Sequence, residues 1–182
     1  MKQRCDWAQG DEMIQYHDSE WGIPVHNDKN LFEMLILEGA QAGLSWSTIL
    51  KRRKTYRAAF DGFDPKKISK YTQKDAARLL SDEGIIRNRL KIKSAINNAQ
   101  KFLQIQKEFG SFDKYLWGFV NDKPIKNNFA KHSDIPASTE LSDKISSDLK
   151  KRGFSFVGTT IVYAYLQAVG VVNDHTKNCF RH

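Results

Sequence analysis

Between Lys29 and Ala42 the chain offers a helix almost no polar face. Leu31, Phe32, Met34, Leu35, Ile36 and Leu37 point in every direction around a helical period. A helix that is apolar all round belongs inside a domain, with other elements packed on every side. The rest of the chain supplies those covers. Asp28 is placed to cap this helix, and Ser45 caps a second one running to about Phe60. Pro65 fits the first turn of a short helix, and Gln73–Asp82 forms the next. Arg87 to Phe109 reads as a long helix and Phe112 to Val120 as a short aromatic one. Asn121–Thr139, with Pro124 and Pro136, is the longest expected loop. Leu141–Arg152 follows, stopped by Gly153, and Thr159–Val169 is the last apolar helix. Strand alternation is nearly absent and nothing repeats, so an all-α fold in one domain over 1–182 is expected.

The 182 residues carry 29 Lys and Arg against 21 Asp and Glu, a formal charge of +8. That balance suits a polyanionic partner, nucleic acid before an anionic membrane surface. The longest apolar run, Ile161 to Leu166, is far short of the roughly 18 residues that span a bilayer. No apolar leader follows Met1, so a cytoplasmic location is expected and Cys5 and Cys179 are expected to stay reduced. Two cysteines cannot staple a small domain, but they can ligate. His175 and Cys179 lie four apart on one face of a helical turn, and Cys5 and His17 lie at the other end of the chain. Two thiolates and two imidazoles are the tetrahedral set that zinc prefers. The same residues also fit two inert buried thiols with unrelated histidines.

Glu38 falls on the apolar stripe of Leu31, Leu35 and Ala42, where a carboxyl needs a partner or a shifted pKa. One reading pairs it with Arg or Lys, or uses it to cap a neighbouring helix. The other rests on Tyr16 and Trp21 before the helix and Trp46 after it. Rings stack on a flat cationic heterocycle while a carboxylate accepts hydrogen bonds from its edge. Glu33 is expected to face solvent. The segment from Asp82 through Gly84, Ile85, Ile86, Arg87, Arg89, Lys91 and Lys93 reads as a helix end, a tight turn and a basic helix start. It suits a grip on a nucleic-acid backbone, and equally a solvated basic helix. Lys51-Arg52-Arg53-Lys54 and Lys150-Lys151-Arg152 are read as solvated helix faces.

Five segments in order resemble the 3-methyladenine DNA glycosylase I family. They are Tyr16-His17-Asp18-Ser19-Glu20-Trp21-Gly22, Leu37 through Trp46, Gly84-Ile85-Ile86-Arg87, Lys151 through Thr160, and Asn173-Asp174-His175 with Cys179. The resemblance implies an all-helical fold of the helix-hairpin-helix glycosylase superfamily, with a structural zinc joining the N- and C-terminal segments through Cys5, His17, His175 and Cys179. It implies a methylated-base pocket of Glu38, Tyr16, Trp46 and Trp21, with Glu38 mainly a recognition group and secondarily catalytic. Gln41 and Leu44 match the loop that family members push into the gap left by a flipped nucleotide. Gly84, Ile86, Arg87, Arg89 and Lys91 would meet the backbone of double-stranded DNA.

The activity so implied is hydrolysis of the 3-methyladenine glycosidic bond by a monomer, leaving an abasic site. No Schiff-base Lys is indicated, so no strand-cleaving lyase step is implied. Two readings of other classes compete. One is a zinc-stapled DNA-binding module without catalysis, for which Glu38 and its rings have no task. The other is a zinc hydrolase or nuclease, which a closed set of four protein ligands opposes.

Overall fold

The computed structural model describes residues 2–182. The central element is α2, Asp28–Gln41, in which every residue from Leu31 to Ala40 is buried. Its covers are α3 (Trp46–Ala59), α6 (Arg89–Phe109), α7 (Phe112–Gly118) and α9 (Thr159–Ala168). The short α4 (Pro65–Ile68) and α5 (Gln73–Ser81) lie on α6, and α8 (Glu140–Lys151) lies on α9. One cluster of buried apolar side chains runs from Cys5 to Cys179, through Phe32, Phe102, Trp117 and Tyr165. No helix among the described residues is long and apolar enough to cross a membrane.

One helix has no counterpart in the sequence patterns: α1, Asp11–Ser19. Tyr16 and His17 are its only buried residues, so it has no apolar stripe to announce it. The expected loop 121–139 holds a 3-10 turn at His132–Asp134 and a short strand, β1 (Ile125–Lys126), which pairs in parallel with β2 (Val172–Asn173). Gly170 precedes β2 with φ +69°, and a Cβ there would lie 2.1 Å from the carbonyl carbon of Ile23. Glycine is what lets the C-terminal segment cross this close to the N-terminal one.

Three expectations about charged residues are corrected. Asp28 does not cap α2; Asn27 does, its side chain accepting from the Asn30 amide at 3.1 Å. The Asp28 carboxylate instead accepts from the Phe112 and Asp113 amides, each at 2.9 Å, and so caps α7 across space. Glu33 is buried rather than solvent-facing. Arg53 Nε donates to it at 2.6 Å and Arg57 Nε at 2.9 Å, while Arg53 also reaches Glu20. Arg53 and Arg152 therefore leave the solvated faces assigned to them. Arg152 bonds Asp148 and Glu108, with its guanidinium over Phe109 and Tyr115.

The α5–α6 connection is held as a hairpin. Asp75 accepts from the backbone and hydroxyl of Thr72 at the start of α5. Asn88 caps α6 by accepting from the Leu90 and Lys91 amides. Between them the turn rests on α3, where Thr55 donates to the Gly84 carbonyl and the Tyr56 hydroxyl accepts from Ile86 N. A Cβ on Gly84 would come within 2.9 Å of Thr55. The loop between α8 and α9 is fixed against α6 by Asn98, which accepts from Ser155 N and donates to Ser155 O.

Candidate functional site

A cavity of about 310 Å³ opens beside the C-terminal half of α2. Glu38 forms its polar floor, and Tyr16, Trp21, Trp46 and Trp7 are among its walls. Tyr16 and Trp46 rings lie 5.4 Å apart between centroids, and Trp7 meets Trp21 edge to face at 5.0 Å. The four pocket residues expected from sequence are thus brought together by four separate segments. Tyr16 comes from α1, Trp21 from the turn after it, Glu38 from α2 and Trp46 from the first turn of α3, where the Ser45 cap sets the chain direction.

Three polar side chains of this cavity, Glu38, Tyr16 and Trp46, have no protein hydrogen-bond partner among the described residues. The carboxyl of Glu38 is 4% exposed and makes no hydrogen bond to any described residue. Burial alone raises its pKa to about 8, so at neutral pH the empty pocket holds it mostly protonated. Burial, with Glu38 and Glu20 adding to it, pushes the Tyr16 hydroxyl well above its usual range, which keeps it a donor. The indole Nε1 of Trp46 is buried without a partner. Buried polar atoms are nearly always satisfied in folded proteins. One such orphan, beside a carboxyl and a hydroxyl that bond no described residue, marks a place where a ligand can supply the partners. A flat base with a cationic ring and an amino edge fits the combination of stacked rings and one ionisable acid.

Behind the aromatic wall sit Cys5, His17, His175 and Cys179, all buried, with one ligand atom each within 4.8 Å of all the others. Cys179 Sγ lies 3.4 Å from His17 Nε2 and 3.4 Å from His175 Nδ1, and Cys5 Sγ lies 3.7 Å from His175 Nδ1. A tetrahedral ion with bonds of roughly 2.0–2.3 Å separates its ligand atoms by about 3.3–3.8 Å. The nitrogens facing away are tied down, His17 Nδ1 to Asp18 at 2.8 Å and His175 Nε2 to the Trp21 carbonyl at 3.0 Å. That is the outer support metal-binding imidazoles normally have. Burial lowers both histidines, His175 to about 4, so the rings are neutral as ligation needs. Burial pushes the Cys5 thiol up, so a pair of thiolates here calls for a cation. The four residues fit a metal ion with no open coordination position. Trp21 packs edge-on against His175 at 4.6 Å, which makes the cluster the back of the pocket wall.

The residues expected at DNA fall into two sets. Gln41 lines the pocket, and Leu44, 38% exposed, stands at the tip of the α2–α3 turn beside Gly43, whose φ is +78°. The Gln41 amide donates to the Leu44 carbonyl and keeps this turn tight. Gly84 and Ile86 form the hairpin turn, with Arg87 and Arg89 exposed beside it. Lys91 differs from the reading as a free backbone contact. Its ammonium donates to the carbonyls of Ala40 and Ala42 at 2.7 Å each, and burial lowers its pKa. It caps the C-terminus of α2 and ties the hairpin to the turn that carries Leu44.

Five lining residues have no place in the sequence reading: Trp7, Met13, His132, Ala164 and Gln167. Met13 follows from the unannounced α1, and His132 from a single 3-10 turn inside the expected loop. Gln167 did carry a signal. It is the one amide in an otherwise apolar helix, the same kind of exception that singles out Glu38.

A family model described as methyladenine glycosylase matches residues 7–182. DNA-3-methyladenine glycosylase 1 of Escherichia coli strain K12 is 50% identical over 97% of this chain and 95% of its own. A crystal structure of a 3-methyladenine DNA glycosylase I superposes with TM-score 0.96 at 50% identity, covering 99% of this chain and 100% of the other. The Staphylococcus aureus glycosylase I, solved to explain 3-methyladenine recognition, superposes with TM-score 0.94 at 38% identity over 98% of this chain and 95% of that one. The family model and these relatives match nearly the whole length of the chain, and this chain belongs to the methyladenine glycosylase family.

Proposed function

We propose that the protein is a monofunctional DNA-3-methyladenine glycosylase, acting as a monomeric single domain in base-excision repair of alkylated DNA. The observation that carries this reading is the buried, unpartnered Glu38 among unpartnered Tyr16 and Trp46 in a cavity walled by rings. A DNA-binding module without catalysis has no use for such a cavity, and leaving a carboxyl partnerless in it costs stability.

In this reading the hairpin at 84–89 docks on the duplex backbone through its turn amides, Arg87 and Arg89. The damaged nucleotide rotates out of the stack into the pocket, and Leu44 with Gln41 occupies the gap. Methylation at N3 makes the adenine cationic while it is still bonded to the sugar. Entry of that cation beside Glu38 makes the carboxylate the favoured form, so the proton held at its raised pKa leaves as the base arrives. Tyr16 and Trp46 hold the base between polar donors and ring faces. The C1′–N9 bond then breaks with its electron pair going to N9, which neutralises the base. Water adds to C1′ and loses a proton to solvent, leaving an abasic site. Little acid help is needed because the leaving group is already charged, and Glu38 acts mainly by holding it.

Zinc in the Cys5, His17, His175 and Cys179 set would supply a cross-link between the two ends of the chain. These residues fix Trp21 and α1, and so the pocket wall, without touching substrate.

The test is incubation with alkylated duplex DNA and identification of every base released. Release of 3-methyladenine, with 7-methylguanine left in place, is the expected result. No release by folded, metal-loaded protein would sink the enzymatic reading.

A further inference from the structure

Gln167 also lines the cavity, and the orientation of its amide is dictated from behind. Asp174 is fully buried and receives three donors: Tyr163 Oη at 2.5 Å, Asn127 Nδ2 at 2.7 Å and Gln167 Nε2 at 2.7 Å. A carboxylate in that setting only accepts. The amide nitrogen of Gln167 must therefore point at Asp174, and its carbonyl oxygen is turned away from it. That oxygen accepts no hydrogen bond from any described residue, while the Gln167 side chain lines the same cavity as Glu38. Asn127 directly follows β1 and Tyr163 comes from α9, so the clamp is set by two distant segments.

We propose that Gln167 is a second base-reading acceptor of the pocket and that Asp174 is the positioning residue that fixes its amide. This inference rests on the glycosylase reading. The chemistry of the substrate gives it content. While 3-methyladenine is still bonded to the sugar, its exocyclic amine is its only N–H donor, and it has two hydrogens. Glu38 and Gln167 offer two acceptors. They differ in one respect that bears on selectivity. Glu38, with its pKa raised to about 8, can turn into a donor by holding a proton, so alone it tolerates an oxo group in place of the amine. The Gln167 carbonyl cannot switch, because turning the amide over would set its oxygen against Asp174. Rejection of bases that carry an oxo group at position six is assigned to Gln167.

The experiment uses the full-length, metal-loaded protein and quenching of its pocket tryptophans. Binding of free 3-methyladenine is compared with that of 3-methylhypoxanthine, the same ring with an oxo group at position six. The wild type should prefer the amino base about tenfold, the cost of setting a buried acceptor against an oxo group in place of its donor. In Gln167→Met, which keeps length and removes the acceptor, the preference should collapse to within about threefold while Tm and metal content hold. A purely structural role would weaken both ligands equally and leave the ratio intact, and that result would overturn the assignment. Should Gln167→Met not fold, the wild-type comparison decides: equal affinities overturn the assignment and a tenfold preference supports it. A wild type that binds neither base would instead bring down the glycosylase reading itself.

Discussion

Glu33 and Glu38 lie on one helix, five residues apart, and are equally buried at 4% exposure. Their surroundings are opposite. Glu33 faces α3 and is held by Arg53 and Arg57, so its charge is matched within the fold. Glu38 faces a cavity, has no cation near it, and is pushed to a pKa of about 8 by burial alone. The contrast separates a carboxylate matched within the fold from one that faces a cavity without a partner. Burial is the same; the difference is whether the partner belongs to the protein or arrives from outside. The Cys5, His17, His175 and Cys179 cluster is on the side of Glu33, because its four ligand atoms converge closely enough to be satisfied together by a single ion.

The largest effect should come from that side. Removing the ion with a strong chelator, or replacing Cys179 by Ala, should lower Tm by roughly 10 °C or more, with excision lost only as the fold is lost. An unchanged Tm after chelation would take the cluster out of the structural class. Glu33→Ala comes next. It leaves Arg53, whose side chain is 14% exposed, short of a partner. Arg57 is half exposed and Glu20 still holds Arg53, so the loss should be near about 2–3 kcal/mol rather than the full value for a buried pair. Calorimetry checks it, and excision by the folded fraction should stay near wild type.

Glu38→Gln should do the reverse. Excision should fall on the order of 100-fold, from loss of a hydrogen bond and charge pairing to a cationic base. Stability should rise. The folded pKa lies above the unfolded value, so wild-type Glu38 favours the folded state most below pH 4.5 and loses that contribution as pH rises towards 8. The gain in Tm from Glu38→Gln should therefore be larger at pH 8 than at pH 5. If the variant melts lower at both, Glu38 has a partner like Glu33 and the contrast fails. The same sign governs binding. Because the cationic base needs Glu38 ionised, excision at low DNA concentration should climb towards pH 8 and level off, and the climb should vanish in Glu38→Gln.

The smallest effects separate two basic residues of the hairpin. Arg87→Ala should weaken DNA binding several-fold and reduce the salt dependence by about one phosphate contact. Lys91→Met should leave the salt dependence unchanged and lower Tm slightly, because its ammonium already caps α2. Equal salt slopes for the two variants would return Lys91 to the DNA face.

The sequence by itself determined the helical architecture, since an all-round apolar segment at 29–42 has to be enclosed and the remaining helices carry matching faces. It also singled out Glu38 as a charge on the apolar stripe near Tyr16, Trp21 and Trp46, while leaving open whether it pairs within the fold or faces a pocket. It left Glu33 indistinguishable from a surface residue, as its partners Arg53 and Arg57 lie on the next helix and their direction depends on how α3 crosses α2. Helix α1 and the placement of Met13 and His132 beside the pocket were likewise decided only in three dimensions, for their neighbours lie far away in the chain. Local propensity and periodicity are properties of adjacent residues, whereas satisfaction of a buried polar group is a property of whatever tertiary packing brings beside it.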